Sequence, residues 1–266
     1  MGVKFPGVYE ARKKDNSLYY RASLTFRKKH ISLGSYETAE SAYLACQEAF
    51  SLLRSETEIK DYKKESMLSL EKWVCLTNFR DNHLYFPTPI YMHKNYFLYY
   101  LSPACILKFD IDDLFYFSSH KIMRRGGHLF VADYGMQVNI LNRYGIKNYA
   151  VEGKDYRFIN GDSADFRYEN LEIFNQFNGV EIVREKNMIK YKVRIHVKSN
   201  YVVGTYSTRT EAAIAYNKAV DIVKRNGIDR NYSLNYIEGL SPAAYADIYS
   251  GLKISSRILK LTAGNS

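Results

Sequence analysis

From residue 191 to 197 apolar and polar side chains alternate: Val193, Ile195 and Val197 interleave with Lys192, Arg194 and His196. A period of two predicts a strand with one buried and one wet face. Residues 20–26 repeat the pattern, with Ala22, Leu24 and Phe26 opposed to Arg21, Ser23, Thr25 and the following Arg27. Each stretch is followed by a short polar turn (Lys28-Lys29-His30; Ser199-Asn200) and a second strand ending at Gly34 or Gly204. That order predicts an antiparallel hairpin, and the Gly-Val segment ahead of it supplies a third strand. Past the glycine the period lengthens. Ala42, Ala45 and Ala49, like Ala212, Ala215 and Ala219, recur at helical spacing behind Thr38 and Thr208, two candidate N-caps. Each stretch therefore predicts three strands covered on one side by one helix, with the other side wet.

The two stretches are copies of one another. Gly7/Gly179, Val8/Val180, Tyr20/Tyr191, Gly34/Gly204, Tyr36/Tyr206, Thr38/Thr208 and Ala42/Ala212 fall in the same order, at an offset drifting only from 172 to 170. Copies this far apart are not a stacked solenoid. They predict two modules flanking a body. The expected division is a first module over 1–55, a helical connector over 56–72, a central domain over 73–176, a second module over 177–230 and a helical tail over 231–266. The fold class expected is α+β.

Charge sharpens this picture. Residues 1–30 and 177–230 each carry a net charge of +6 within a chain of net +10, so the copies hold the whole excess. A localised basic face is the footprint of a phosphate-binding surface. The candidate contacts are Arg12, Lys13, Arg21, Ser23, Thr25 and Arg27 in the first copy. In the second they are Arg184, Lys192, Arg194, His196 and Lys198. Three widely spaced cysteines without a CxxC point to reduced thiols in a cytosolic compartment and offer no zinc spacing. No metal or cofactor is expected, and no apolar run reaches membrane length.

Both copies resemble the Apetala-two/ethylene-response-factor type of DNA-binding domain. The resemblance rests on the opening Gly-Val, the basic hairpin, and Gly34-Ser35-Tyr36-Glu37-Thr38 through Ala42 or Gly204-Thr205-Tyr206-Ser207-Thr208 through Ala215. It implies a three-stranded sheet laid in the major groove of double-stranded DNA, with two half-sites for two modules. The positions after Gly-Val where that family carries Arg hold Tyr9, Ala11, Glu181 and Val183 here, so no target sequence carries over.

Between the copies, Asn160-Gly161-Asp162, Arg167 and Glu169-Asn170-Leu171 resemble an HNH nuclease motif. The resemblance implies a turn followed by a helix opening at Glu169-Asn170-Leu171. Its metal-binding Asp and water-activating His are replaced by Arg157 and Phe158, a cation and a side chain without a lone pair. A degenerate, non-cutting domain follows. His120 and His128 read either as a replacement metal pair across the Gly126-Gly127 hairpin or as ordinary surface side chains.

The resulting expectation is a sequence-specific, double-stranded-DNA-binding protein of the cytoplasm and nucleoid, used as a transcription regulator and not an enzyme. The alternatives are an active homing-type endonuclease, or a structural or defence component whose central domain meets a protein. The C-terminal tail is read either as packing on the second module or as a homodimer surface.

Overall fold

The computed structural model describes residues 5–148, 150–185 and 188–263. The protein is mixed α+β and forms two compact units, 1–140 with 160–170, and 141–159 with 171–266. Among the described residues no helix is long and apolar enough to cross a membrane.

The first unit opens with an antiparallel sheet of β1 (Val8–Arg12), β2 (Leu18–Phe26) and β3 (Lys29–Tyr36), with β2 central. Helix α1 (Ala39–Arg54) covers its inner face, packing Ala42, Ala45, Cys46 and Ala49 on Ala22, Leu24, Ile31 and Leu33. Thr38 caps the helix by accepting the Ser41 N–H. Gly7 holds φ at +79°, and its carbonyl accepts the Ser23 N–H at 2.9 Å. A Cβ there would lie 2.5 Å from the Ser23 oxygen, so only glycine fits.

The β2–β3 turn is shorter than the sequence suggests. It consists of Arg27-Lys28, with φ of 46° and 65°, and Lys29 already belongs to β3. Two successive positive-φ residues match the twist of the flanking strands.

In the stretch expected as a helical connector, 56–72, residues 56–69 contain a single 3-10 turn over Ile59–Asp61, and only the last three residues are in an α-helix. Helix α2 (Leu70–Asn82) then runs across residue 73, the expected boundary between the connector and the central domain. Trp73 through Phe79 are all buried. A helix covered on every side carries no amphipathic stripe, which is why its period is absent from the sequence. Trp73, Leu76 and Phe79 complete the core under α1. On the opposite side Asn78 accepts the Met92 N–H at 2.8 Å. Met92 ends β4 (Ile90–Met92), which forms a meander with β5 (Tyr96–Ser102) and β6 (Cys105–Asp110). Phe97 and Phe109 stack at 5.3 Å, and Phe117 of α3 (Leu114–Ser119) closes on Phe109 at 4.4 Å. Gly126-Gly127 makes the expected hairpin between β7 (Met123–Arg125) and β8 (His128–Asp133), and β9 (Met136–Asn139) adds a third strand.

In the second unit β10 (Tyr156–Phe158) pairs with β11 (Leu171–Ile173). Leu171 thus enters a strand where a helix was expected, preceded by a 3-10 turn over Tyr168–Asn170. The second copy is β12 (Val180–Glu185), β13 (Met188–His196) and β14 (Asn200–Tyr206) under α4 (Arg209–Arg225). Thr208 caps α4 in a capping box with Glu211. Gly179 repeats the role of Gly7, its carbonyl accepting the Arg194 N–H at 2.8 Å. Even the irregularity is duplicated. The β2–β3 register slips at Ala22/Ser23 and the β13–β14 register at Val193/Arg194, leaving Leu33 and Val203 as buried bulge residues.

Tyr36 and Tyr206 each donate a phenolic hydrogen bond at 2.9 Å, to the carbonyls of Met67 and Lys253. Each thereby fastens the chain that returns after its helix. For the second copy that chain is the tail, with α5 (Pro242–Gly251) and α6 (Ser256–Leu259). Ile258 and Leu261 join the β12–β14 core, and Ser255 donates its N–H to Val203 at 2.9 Å. Of the two readings of the tail, packing on the second module accounts for these apolar side chains.

Candidate nucleic-acid interface

Pairing registers sort every strand residue onto a face, because side chains alternate and cross-strand partners share a side. Ala22, paired with Val8 and Gly34, marks the helix side of the first sheet. The opposite, uncovered side carries Tyr9, Ala11, Tyr19, Arg21, Ser23, Thr25, His30, Ser32 and Ser35. In the second sheet Val193 marks the helix side. Its uncovered side presents Lys190, Lys192, Arg194 and His196 at every second position of β13, beside Glu181, Val183, Val202 and Thr205.

Six expected residues therefore lie on uncovered faces: Arg21, Ser23, Thr25, Lys192, Arg194 and His196. Arg21 leans over Tyr19, with Nη2 donating to the phenol at 2.7 Å. Arg194 is half-buried, and its Nη1 lies 3.1 Å from Glu181 Oε2. His196 shares a 3.0 Å hydrogen bond with Asn200 Oδ1. Lys13 and Lys198 are exposed in the turns that follow β1 and β13.

Four placements differ from expectation. Ser23 is on the right side but only 7% exposed, because a short side chain in the central strand is shaded by its neighbours and lies at the bulge. Arg27 is not on the strand face. From the turn its guanidinium donates to the carbonyls of Phe79 and Arg80, both at 3.2 Å, and contacts His83, so it caps the C-terminus of α2. Arg12 and Arg184 alternate in step with Val8 and Val180, on the helix side of their edge strands, and extend past the covering helix into solvent.

The first copy is thus organised differently from a uniformly basic face. Arg21 and His30 stand among tyrosines and hydroxyls, while Arg12, Lys13, Lys14, Lys28 and Lys29 gather at the two ends of the hairpins. Lys190 was missed by the sequence reading, although it continues the period-two row of Lys192, Arg194 and His196.

The stretch resembling a nuclease motif is a self-contained hydrogen-bonded loop. Within the first unit Asn170 Oδ1 accepts the Asn160 N–H at 2.8 Å, and Asn170 Nδ2 donates to the Asp165 carbonyl at 2.8 Å. Asn160 Oδ1 accepts the Asp162 N–H, and Asp162 Oδ1 the Ala164 N–H. Asp165 is nearly fully buried and paired with Arg167 through Nε at 2.9 Å and Nη2 at 2.7 Å. Burial raises the pKa of this carboxyl, but the hydrogen bonds and charge of Arg167 outweigh it, and the net shift is downward. The loop docks on β6 through Lys108 and stacks Phe166 on Phe109 at 5.4 Å. In the second unit Arg157 pairs with Glu172 at 2.6 Å, and Phe158 is buried. His120 stacks on Tyr116 at 4.3 Å and faces Asp133 at 3.6 Å, whereas His128 is exposed. Among the described residues no three His, Cys, Asp or Glu side chains converge on a metal-sized site.

No protein-family model, no curated protein and no solved structure matches this chain.

Proposed function

We propose that the protein binds double-stranded DNA in a sequence-dependent manner through its two sheet modules, and that it serves as a transcription regulator without cutting DNA. The observation that carries the reading is the row Lys190, Lys192, Arg194 and His196 on the uncovered side of β13, behind which an alanine-rich helix fills the other side. Four donor side chains about 6.6 Å apart on a rigid strand form a surface matched to base edges and phosphates. The first module offers a complementary arrangement. Strand β2 runs roughly 25–30 Å, well beyond the ~12 Å width of a major groove. Its basic ends therefore suit the phosphate walls, while Arg21 and Thr25 suit the groove floor.

The non-cutting part rests on the side chains of the nuclease-like stretch. Asp162, Asp165 and Asn170 are committed to holding their own loop, and Arg157 with Phe158 offers neither a carboxylate nor a base. Selection of bound sequences from random duplex DNA, with magnesium present and products inspected for cuts, tests both parts. Enrichment of a defined motif with intact products is expected. Failure to enrich any sequence would remove the proposal of sequence reading, and cleavage abolished by Asn170→Ala would favour the nuclease alternative.

A further inference from the structure

The second unit contains a cleft of about 500 Å3, between the segment carrying Lys147, Lys154 and Asp155 and the β12–β13 edge with Glu181, Arg194 and His196. Its acids are already engaged. Glu181 holds Lys154 at 3.2 Å and Arg194 at 3.1 Å. Asp155 accepts the Val151 N–H and the Asn175 side-chain amide, both at 2.8 Å. Lys147 is different. Its Nζ is buried and has no hydrogen-bond partner among the described residues.

A buried ammonium carries three donors, and leaving all of them unmet is costly enough that such groups are rarely retained without a reason. Three cationic side chains face two carboxylates here, so one positive charge is left over in the cleft. Burial pushes the Lys147 pKa down to about 8, against a smaller upward pull from Asp155. The opening has the size typical of small-molecule sites and admits a phosphoryl group with its sugar.

We propose that this cleft is a phosphate-binding site, with Lys147 at its base and the remaining donors of Lys154 and Arg194 at its rim. A phosphate dianion would supply the missing acceptors and neutralise the excess charge. This site shares Arg194 and His196 with the sheet face proposed to read DNA, but it is defined by Lys147, and its phosphate has two sources: a free phosphate ester, or the backbone of bound DNA.

The test is calorimetric titration of the full chain with inorganic phosphate and with a nucleoside 5′-monophosphate, repeated for Lys147→Gln and Lys147→Arg. Lys147→Gln is expected to weaken both ligands at least tenfold, while Lys147→Arg retains most of the affinity. For the unmodified chain, affinity for the monophosphate is expected to fall as pH rises past about 8 and Lys147 loses its proton. The other charged groups facing the cleft are Asp155, Glu181, Lys154, Arg194 and His196, with the Tyr216 phenol from α4, whose pKa burial raises. Duplex DNA is then added to the phosphate complex. Displacement assigns the site to a backbone phosphate, and undisturbed binding assigns it to a free ester. No binding of either small ligand, or binding that ignores Lys147→Gln, overturns the inference even if the protein binds duplex normally. Phosphate binding in a chain that ignores duplex DNA would keep this site and remove the DNA reading instead.

Discussion

Arg194 and Glu181 form an ion pair across β13 and β12, Nη1 to Oε2 at 3.1 Å, in the middle of the uncovered sheet face. The best-placed candidate for reading a base is thus held by a carboxylate of the same face. Glu181 repels phosphate and occupies donors that a guanine would use. Glu181→Gln is therefore expected to strengthen duplex binding several-fold and steepen its salt dependence. Arg194→Ala should cost about 1–3 kcal/mol and relax preference at one or two base pairs. Titrations across single-base variants of the selected site, at two salt concentrations, check both. A uniform loss for Arg194→Ala would make it a phosphate contact.

Lys198 lies beyond the end of β13, in the turn, where a groove-inserted sheet meets the phosphate wall. Lys198→Ala is expected to weaken all sequences about equally and to reduce the salt slope by about one. Arg21→Ala on the other module should lower affinity for DNA carrying both half-sites and leave DNA carrying only the second module's half-site unchanged, because linkage makes the first module's contacts count only where its half-site is present. Point variants are the right tool here. A fragment ending near residue 60 would lose Leu68, Trp73, Leu76 and Phe79 from the first module's core.

Arg27 separates a structural arginine from a binding one. Its guanidinium meets the terminal carbonyls of α2, which have no helical partner of their own. Arg27→Ala is expected to lower stability by about 1–2 kcal/mol, by lost hydrogen bonds and helix-end charge. Duplex affinity should remain within twofold. Urea unfolding and DNA titration of the same variant check this pair of outcomes, and a large affinity loss with unchanged stability would reverse the assignment.

The modules were legible because their code is local. Period-two strands, threonine caps and alanines at helical spacing each depend on a few adjacent residues, and each occurs twice. Gly7 and Gly179 could be aligned but not explained from sequence, since their reason is the approach of Ser23 and Arg194 from another strand. Helix α2 was hidden because burial on all sides erases its period. Arg27, Arg12 and Arg184 were misplaced because the turn position and the strand register decide which side a charge takes. Lys147 carried no local signal. Its environment joins its chain neighbours Lys154 and Asp155 to residues as distant in the chain as Arg194 and Tyr216.

Asn170 tests the loop that resembles a nuclease motif. Its side chain closes the loop from both ends, accepting from Asn160 and donating to Asp165. Asn170→Ala would leave the buried Asp165 carbonyl unpaired, at about 1–3 kcal/mol, and free the more exposed Asn160 N–H. A fall in thermal midpoint of several degrees is expected, with no change in DNA products. Cleavage lost without loss of stability would show a chemical role instead.

Lys147 gives the last prediction, in which stability and binding move in opposite directions. Its folded pKa of about 8 lies below the ordinary lysine value of 10.5, because burial disfavours the charged form. Below pH 8 the group is charged in both states, and the folded state bears the whole desolvation penalty. Between about 8 and 10.5 the unfolded chain holds more protons than the folded one, so stability rises with pH through that window. Above it the penalty is gone. Lys147→Met keeps the length of the side chain and removes the charge. At pH 7 it is expected to raise stability by roughly 1–2 kcal/mol, a figure discounted for the partial solvent access of the cleft. Its advantage should shrink as pH approaches 10. Urea unfolding of both proteins between pH 7 and 10 measures this. A variant less stable than the parent at pH 7 would mean that Lys147 already has a satisfied partner in the folded chain. It would thereby remove the physical basis for an anion in the cleft.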